Sequence, residues 1–142
     1  MVDAAHHVSC VTFAGDEVVG FLNDVLGMRV MDQMFVPEDV TGDFLAWPRP
    51  NPGAAAELVG SGSKGLIEVV RAPEEMRGRV TPGTAFITFA VTDIEARLDR
   101  SRERGYITSE VKTLDVNENV ALSCATVTAG DLTFELVQFN AV

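Results

Sequence analysis

Twice in this chain a run of strand-forming apolar residues carries a single acid near its centre. The first is Gly65–Arg71, G-L-I-E-V-V-R, with Glu68, and the second is Leu132–Phe139, L-T-F-E-L-V-Q-F, with Glu135. A carboxylate among Leu, Ile and Val lies exposed on an edge, is paired, coordinates a metal or is protonated. Left ionised and dry it costs several kcal/mol or more. A fold for this sequence has to give both acids one of these outlets.

The segments between them repeat. His7–Phe13, H-V-S-C-V-T-F, reads as a strand with His7, Ser9 and Val11 on one face by the period of two. Asp16 is placed to cap a helix over Glu17–Leu26, where Val18, Phe21, Leu22, Val25 and Leu26 recur at helical spacing, and Gly27 supplies the stop. Strands are expected at Met28–Val36, Ala54–Val59 and Gly65–Arg71, with a turn at G-S-G-S-K-G. Between them Pro37–Gly53, rich in proline and holding the only tryptophan, Trp47, reads as a long loop or flap with a short segment at Asp43–Trp47. Its aromatics either close over a pocket or pin the loop to the core. Ala72–Gly83 reads as a linker.

The same order then returns. Ala85–Val91 is a strand, Asp93 caps a helix over Ile94–Arg104, and Gly105 ends it. Tyr106–Leu114, Val120–Thr128 and Leu132–Phe139 follow as strands, with turns at Asp115–Asn119 and Ala129–Asp131. The chain thus reads as two βαβββ modules, at about 6–72 and 84–140 of one domain, an α+β fold whose modules form a curved mixed sheet around a central cleft. Residues at equivalent positions would meet near a pseudo-twofold axis.

Composition narrows the partners. Eleven basic against 21 acidic residues give a formal charge of −10, which repels phosphate backbones and anionic lipid, so neither nucleic acid nor membrane is expected. The two cysteines, Cys10 and Cys124, lie in strand-like runs without a C-x-x-C pattern and read as buried, reduced thiols. M-V-D-A-A-H-H lacks the features of a secretory segment, and the expected setting is the cytoplasm.

The duplicated βαβββ order, the opening H-H-V-S-C-V-T-F, the helix end D-V-L-G-M-R-V, the junction F-A-V-T-D-I-E-A and the closing strands L-I-E-V-V and F-E-L-V-Q-F resemble the vicinal oxygen chelate superfamily, which includes glyoxalases, bleomycin-resistance proteins and dioxygenases. The resemblance covers about His7 to Phe139 and is specific for the fold, not for one activity. It implies metal ligands at His7, Glu68 and Glu135. Where many metal-binding relatives have a histidine at the start of the second module, this chain has Phe86.

An imidazole and two carboxylates suit a divalent ion such as Zn, Mn, Ni or Fe, and three protein ligands plus water make an open site. His6 beside His7 leaves open which ring faces inward. With a metal, the implied chemistry is enolate stabilisation in an isomerase, epimerase or lyase, with Glu135 or Glu68 as base and Ser9, Trp47, Phe86 and Thr88 as substrate contacts. An extradiol dioxygenase is disfavoured, because the second histidine is missing. The alternative is a metal-free binding protein, as in antibiotic-sequestering relatives, with Phe86, Trp47, Phe44 and Phe89 lining an apolar cleft for a planar, preferably cationic ligand. A third is a duplicated module whose seam is only packed core. No organic cofactor is expected. A small-molecule ligand and a homodimer are.

Overall fold

The computed structural model describes residues 2–61, 64–129 and 132–142. The expected turns at G-S-G-S-K-G and Ala129–Asp131 fall partly outside these residues. The chain separates into two compact units, residues 7–85 and residues 1–6 with 86–142.

In residues 7–85 the strands run in the order β2 (Arg29–Val36), β3 (Ala54–Ser61), β4 (Lys64–Arg71) and β1 (Val2–Thr12, its His7–Thr12 part). β2 and β4 are antiparallel to β3, whereas β1 runs parallel to β4 with Ser9 opposite Glu68. Strand alternation sends Ile67 and Val69 of β4 and Cys10 of β1 to one face, where they pack with Val18, Val19 and Leu22. Glu68, Ser9 and Val11 take the other.

The first helix differs from expectation. α1 spans Gly15–Gly20 with Ala14 at the cap position, and Asp16 lies in its first turn with its carboxylate on the Arg71 guanidinium at 2.6 Å. A guanidinium is a stronger partner than a backbone amide, so Asp16 is drawn off the capping role. Arg71 also binds Glu57 and passes so close to Gly15 that a Cβ there would lie 2.7 Å from its Cγ, which is why the turn needs glycine. Phe21–Val25 then widens into a π turn. A stripe laid out at 3.6 spacing drifts off the sheet in that wider turn: Leu22 is buried, while Phe21, Val25 and Leu26 are exposed.

The expected flap is structured. α2 covers Glu38–Phe44 and buries Val40, Thr41 and Phe44. Beyond it, Asn51 ties the chain down: its Oδ1 accepts from Thr41 Oγ1 at 2.7 Å and from the Gly53 amide, and its own amide donates to Glu38 at 2.7 Å. Proline content there excluded long helices but left room for one short one. The expected linker is anchored as well, through a 3₁₀ turn at Glu74–Met76 whose Met76 is fully buried.

In the other unit β5 (Gly83–Val91, from Phe86) runs parallel to β9 (Leu132–Ala141), with Thr88 opposite Glu135. β9 is antiparallel to β8 (Val120–Ala129), which also pairs with β6 (Ile107–Thr108) and β7 (Lys112–Asn117). The single strand expected at Tyr106–Leu114 is therefore two short ones. α3 (Ile94–Glu103) is capped as expected, Asp93 Oδ1 accepting from the Ala96 amide at 3.1 Å, and Gly105 stops it with φ 82°. Its Ile94 and Leu98 pack on Val91, Ala125 and Val127, with Leu136 of β9 beside them. Glu135, one residue from Leu136, therefore lies on the face of β9 away from α3.

Neither Cys10 nor Cys124 is in a disulfide. Among the described residues no helix is long and apolar enough to cross a membrane.

Candidate functional site

The awkward acid of β4 has found a partner on the neighbouring strand. Parallel pairing sets Ser9 beside Glu68, and Ser9 Oγ donates to Glu68 Oε1 at 2.9 Å. Ser9 is fully buried, and the Glu68 side chain keeps 15% of its surface. His7, two residues earlier on the same face of β1, brings Nε2 to 4.0 Å from the same Oε1. Both contacts fall on Oε1. Burial pushes the Glu68 carboxyl above the usual carboxylate range, and the Ser9 hydrogen bond opposes that rise. Burial, and then the Glu68 charge, likewise push the Cys10 thiol up.

The second acid is held the same way. Thr88 Oγ1, fully buried, donates to Glu135 Oε1 at 2.8 Å, and Glu135 itself is buried. At the position corresponding to His7 stands Phe86, also buried. The two adjacent histidines have different neighbours. His7 turns to Glu68, whereas His6 sits against the Phe139 ring, centroids 5.0 Å apart, where burial lowers its pKa.

Ser9 and Thr88, expected to touch substrate, thus spend their hydroxyls on the two carboxylates. The residue type was legible in the sequence. Its partner was not, because the parallel register that sets hydroxyl opposite acid depends on strands 59 and 47 residues apart.

Trp47 is buried in the wall of an open cavity of about 340 Å³. Val11 of β1, Ala46, Arg79 and Thr84 line it too. Ala46 holds φ 58°, a left-handed conformation that a residue with a Cβ adopts at some cost, and Trp47 follows it with its amide on the Thr41 carbonyl. Arg79 carried no signal in the sequence, because it falls in the segment read as a linker.

A divalent ion is what the resemblance implies for such acids. An imidazole nitrogen and a carboxylate oxygen have the donor chemistry for two positions around one ion, but their 4.0 Å separation is wider than the roughly 3.4 Å that tetrahedral bonds of about 2.1 Å set between ligand atoms. Among the described residues no group of three His, Cys, Asp or Glu side chains forms a metal cluster. The donor types of the His7–Glu68 pair suit the ion, and the pair is fewer than the three protein ligands of an open catalytic site.

The fold has many solved counterparts. Methylmalonyl-CoA epimerase from Mycobacterium tuberculosis superposes with a TM-score of 0.69 at 20% identity, over 96% of this chain and 88% of that one. A hypothetical protein from Bacillus halodurans C-125 gives 0.68 at 14% identity, over 95% and 93%. A mutant 4-hydroxymandelate synthase from Streptomyces coelicolor gives 0.68 at 13%, over the whole of this chain and 49% of its own. At such identities the likeness is one of fold. No curated protein matches the sequence. The family model of the Glyoxalase/Bleomycin resistance protein/Dioxygenase superfamily matches residues 4–121, and the chain belongs to that superfamily.

Proposed function

We propose that this protein binds a small oxygenated organic substrate and moves a proton at a carbon next to a carbonyl, the step shared by epimerases and isomerases that pass through an enolate. The observation that carries this is Glu68: a largely buried carboxyl held through Oε1 by Ser9, with its proton affinity raised by burial. A carboxyl tuned upward is a better base near neutral pH than an exposed one, because the acceptor strength comes closer to what carbon acids demand. Superposition on an epimerase of methylmalonyl-CoA is in keeping with that chemistry.

Glu68 takes the proton while Ser9, bonded to Oε1, holds the carboxyl plane in place. Glu135, held by Thr88, is assigned the same kind of role. A divalent ion, when bound, would supply Lewis-acid stabilisation of the enolate, with His7, Glu68 and Glu135 as its proposed ligands. Trp47, Phe86, Ser9 and Thr88 shape and orient the site. We assign the protein to the cytoplasm as a homodimer, which light scattering checks.

The test is hydrogen exchange. In D₂O, a panel of acyl-CoA thioesters and 2-hydroxy acids is followed by proton NMR for loss of the α-proton signal. Enzyme-dependent exchange of one member, abolished in Glu68→Gln at unchanged circular dichroism, is the expected result. Exchange that survives Glu68→Gln sinks the assignment.

A second reading, a binding protein without catalysis, is favoured by one observation, the buried Phe86 where a metal-binding relative carries imidazole. Tight, stoichiometric ligand capture with no exchange in any substrate would establish it.

A further inference from the structure

The net charge of −10 would make a cationic ligand the default. One corner of residues 7–85 opposes that default. Arg79 lines the Trp47 cavity, and among the described residues it forms no ion pair: its guanidinium reaches only the Pro50 carbonyl at 3.5 Å and Met76 Sδ at 3.7 Å, both at the outer limit of a hydrogen bond. Arg49, Arg71 and Arg77 of the same unit are each paired with a carboxylate. An arginine left with spare donors at the mouth of a cavity, in a strongly acidic protein, has planar donor geometry suited to a carboxylate.

The cavity also has a fixed place relative to Glu68. Val11, in its wall, follows Ser9 by two residues on the same face of β1, so the wall begins roughly 7 Å along the strand from the hydroxyl that holds Glu68. Its volume of about 340 Å³ is at the small end of ligand pockets and suits a few heavy atoms, not a large planar drug. Trp47 and Thr84 both line it.

We propose that the Trp47 cavity is an anion-recognising subsite, in which Arg79 takes a carboxylate borne by the same small substrate on which Glu68 acts. The substrate class is thereby narrowed to acids, or acyl derivatives that keep one free carboxylate a few atoms from the carbon that loses its proton. This rests on the proton-transfer role of Glu68 for the identity of the second site, but its own test is binding.

Trp47 is the only tryptophan, so its fluorescence reports the cavity directly. The probes are malonate, its neutral dimethyl ester and inorganic phosphate. Malonate is expected to give a saturable change, with the dimethyl ester weaker by about tenfold or more and Arg79→Gln weakening malonate by a similar factor, as loss of a charge-assisted contact requires. Arg79→Lys should recover part of it. Glu68→Gln should bind malonate within about threefold of wild type while losing α-proton exchange, which separates this subsite from the chemistry. No saturable response in the wild type, equal binding of the dimethyl ester, or unchanged malonate binding in Arg79→Gln would overturn the proposal. Phosphate binding tighter than malonate would overturn the carboxylate assignment. Malonate binding that is intact in a protein with no exchange activity supports the subsite and strikes only the proton-transfer role.

Discussion

The acid pair of β1 and β4 and that of β5 and β9 are built alike, with a fully buried hydroxyl on the first strand donating to a glutamate directly across a parallel pairing on the last. They part company two residues before the hydroxyl, at His7 in one and Phe86 in the other. The comparison separates two functions. Both halves hold the carboxylate with a hydroxyl set opposite it by the register, whereas the position two residues before the hydroxyl is an imidazole in one half and a phenyl ring in the other.

The strongest way to break this comparison is to remove the acids one at a time. Glu68→Gln is expected to lower the rate of α-proton exchange by about 10²–10⁴-fold, the scale of a positioned acid–base group, with thermal unfolding still cooperative. Glu135→Gln is to be compared directly; an equal loss makes the halves equivalent in chemistry, and a small one confines the proton transfer to the half with the imidazole.

Next come the hydroxyls. Ser9→Ala and Thr88→Val each leave a buried carboxyl short of its donor and are expected to cost about 1.5–3 kcal/mol in denaturant unfolding, with Thr88→Ser recovering most of the loss. Two equal costs would confirm that the devices are interchangeable.

The imidazole itself can be exchanged between halves. His7→Phe should weaken divalent-ion uptake, read by equilibrium dialysis with zinc, by about 10–100-fold, and Phe86→His should place a second imidazole–carboxylate pair beside Glu135 and strengthen uptake by a similar factor. No change in either variant would detach His7 from any metal role.

The smallest effect is the pH dependence of stability. Burial raises the Glu68 carboxyl above its ordinary value of 4.5, so the folded state keeps the proton to higher pH than the unfolded one does. Its share of stability is therefore complete below that ordinary value and declines as pH rises through the folded one. Melting curves across about pH 4–9 should show a shallower decline for Glu68→Gln than for wild type.

Much of this was legible beforehand. Strand alternation, Asp93 and Gly105 around α3, and the single acids of β4 and β9 all follow from local chemistry, and the resemblance set them in the superfamily to which the chain belongs. Asp16 failed as a cap because Arg71, 55 residues away, competes for it. Pro37–Gly53 looked irregular because Asn51, which organises it, acts through Thr41 and Glu38 in a way composition does not encode. Arg79 was invisible because what sets it apart, a place in the cavity lining with no ion pair among the described residues, is a property of three-dimensional surroundings.

The parallel pairings also set an order of assembly. Each hydroxyl–carboxylate pair joins the first and last strand of its half, 59 residues apart in one and 47 in the other. β2–β3 and β8–β9 are antiparallel and local, and close early; β1 and β5 must wait for chain far downstream, and the loop entropy of that wait falls on the slow step. During synthesis Ser9 leaves the ribosome well before Glu68 exists. Each hydroxyl–carboxylate pair is therefore expected to form late, and an amide on β1 or β5 should acquire protection from hydrogen exchange later in refolding than one on β3 or β8.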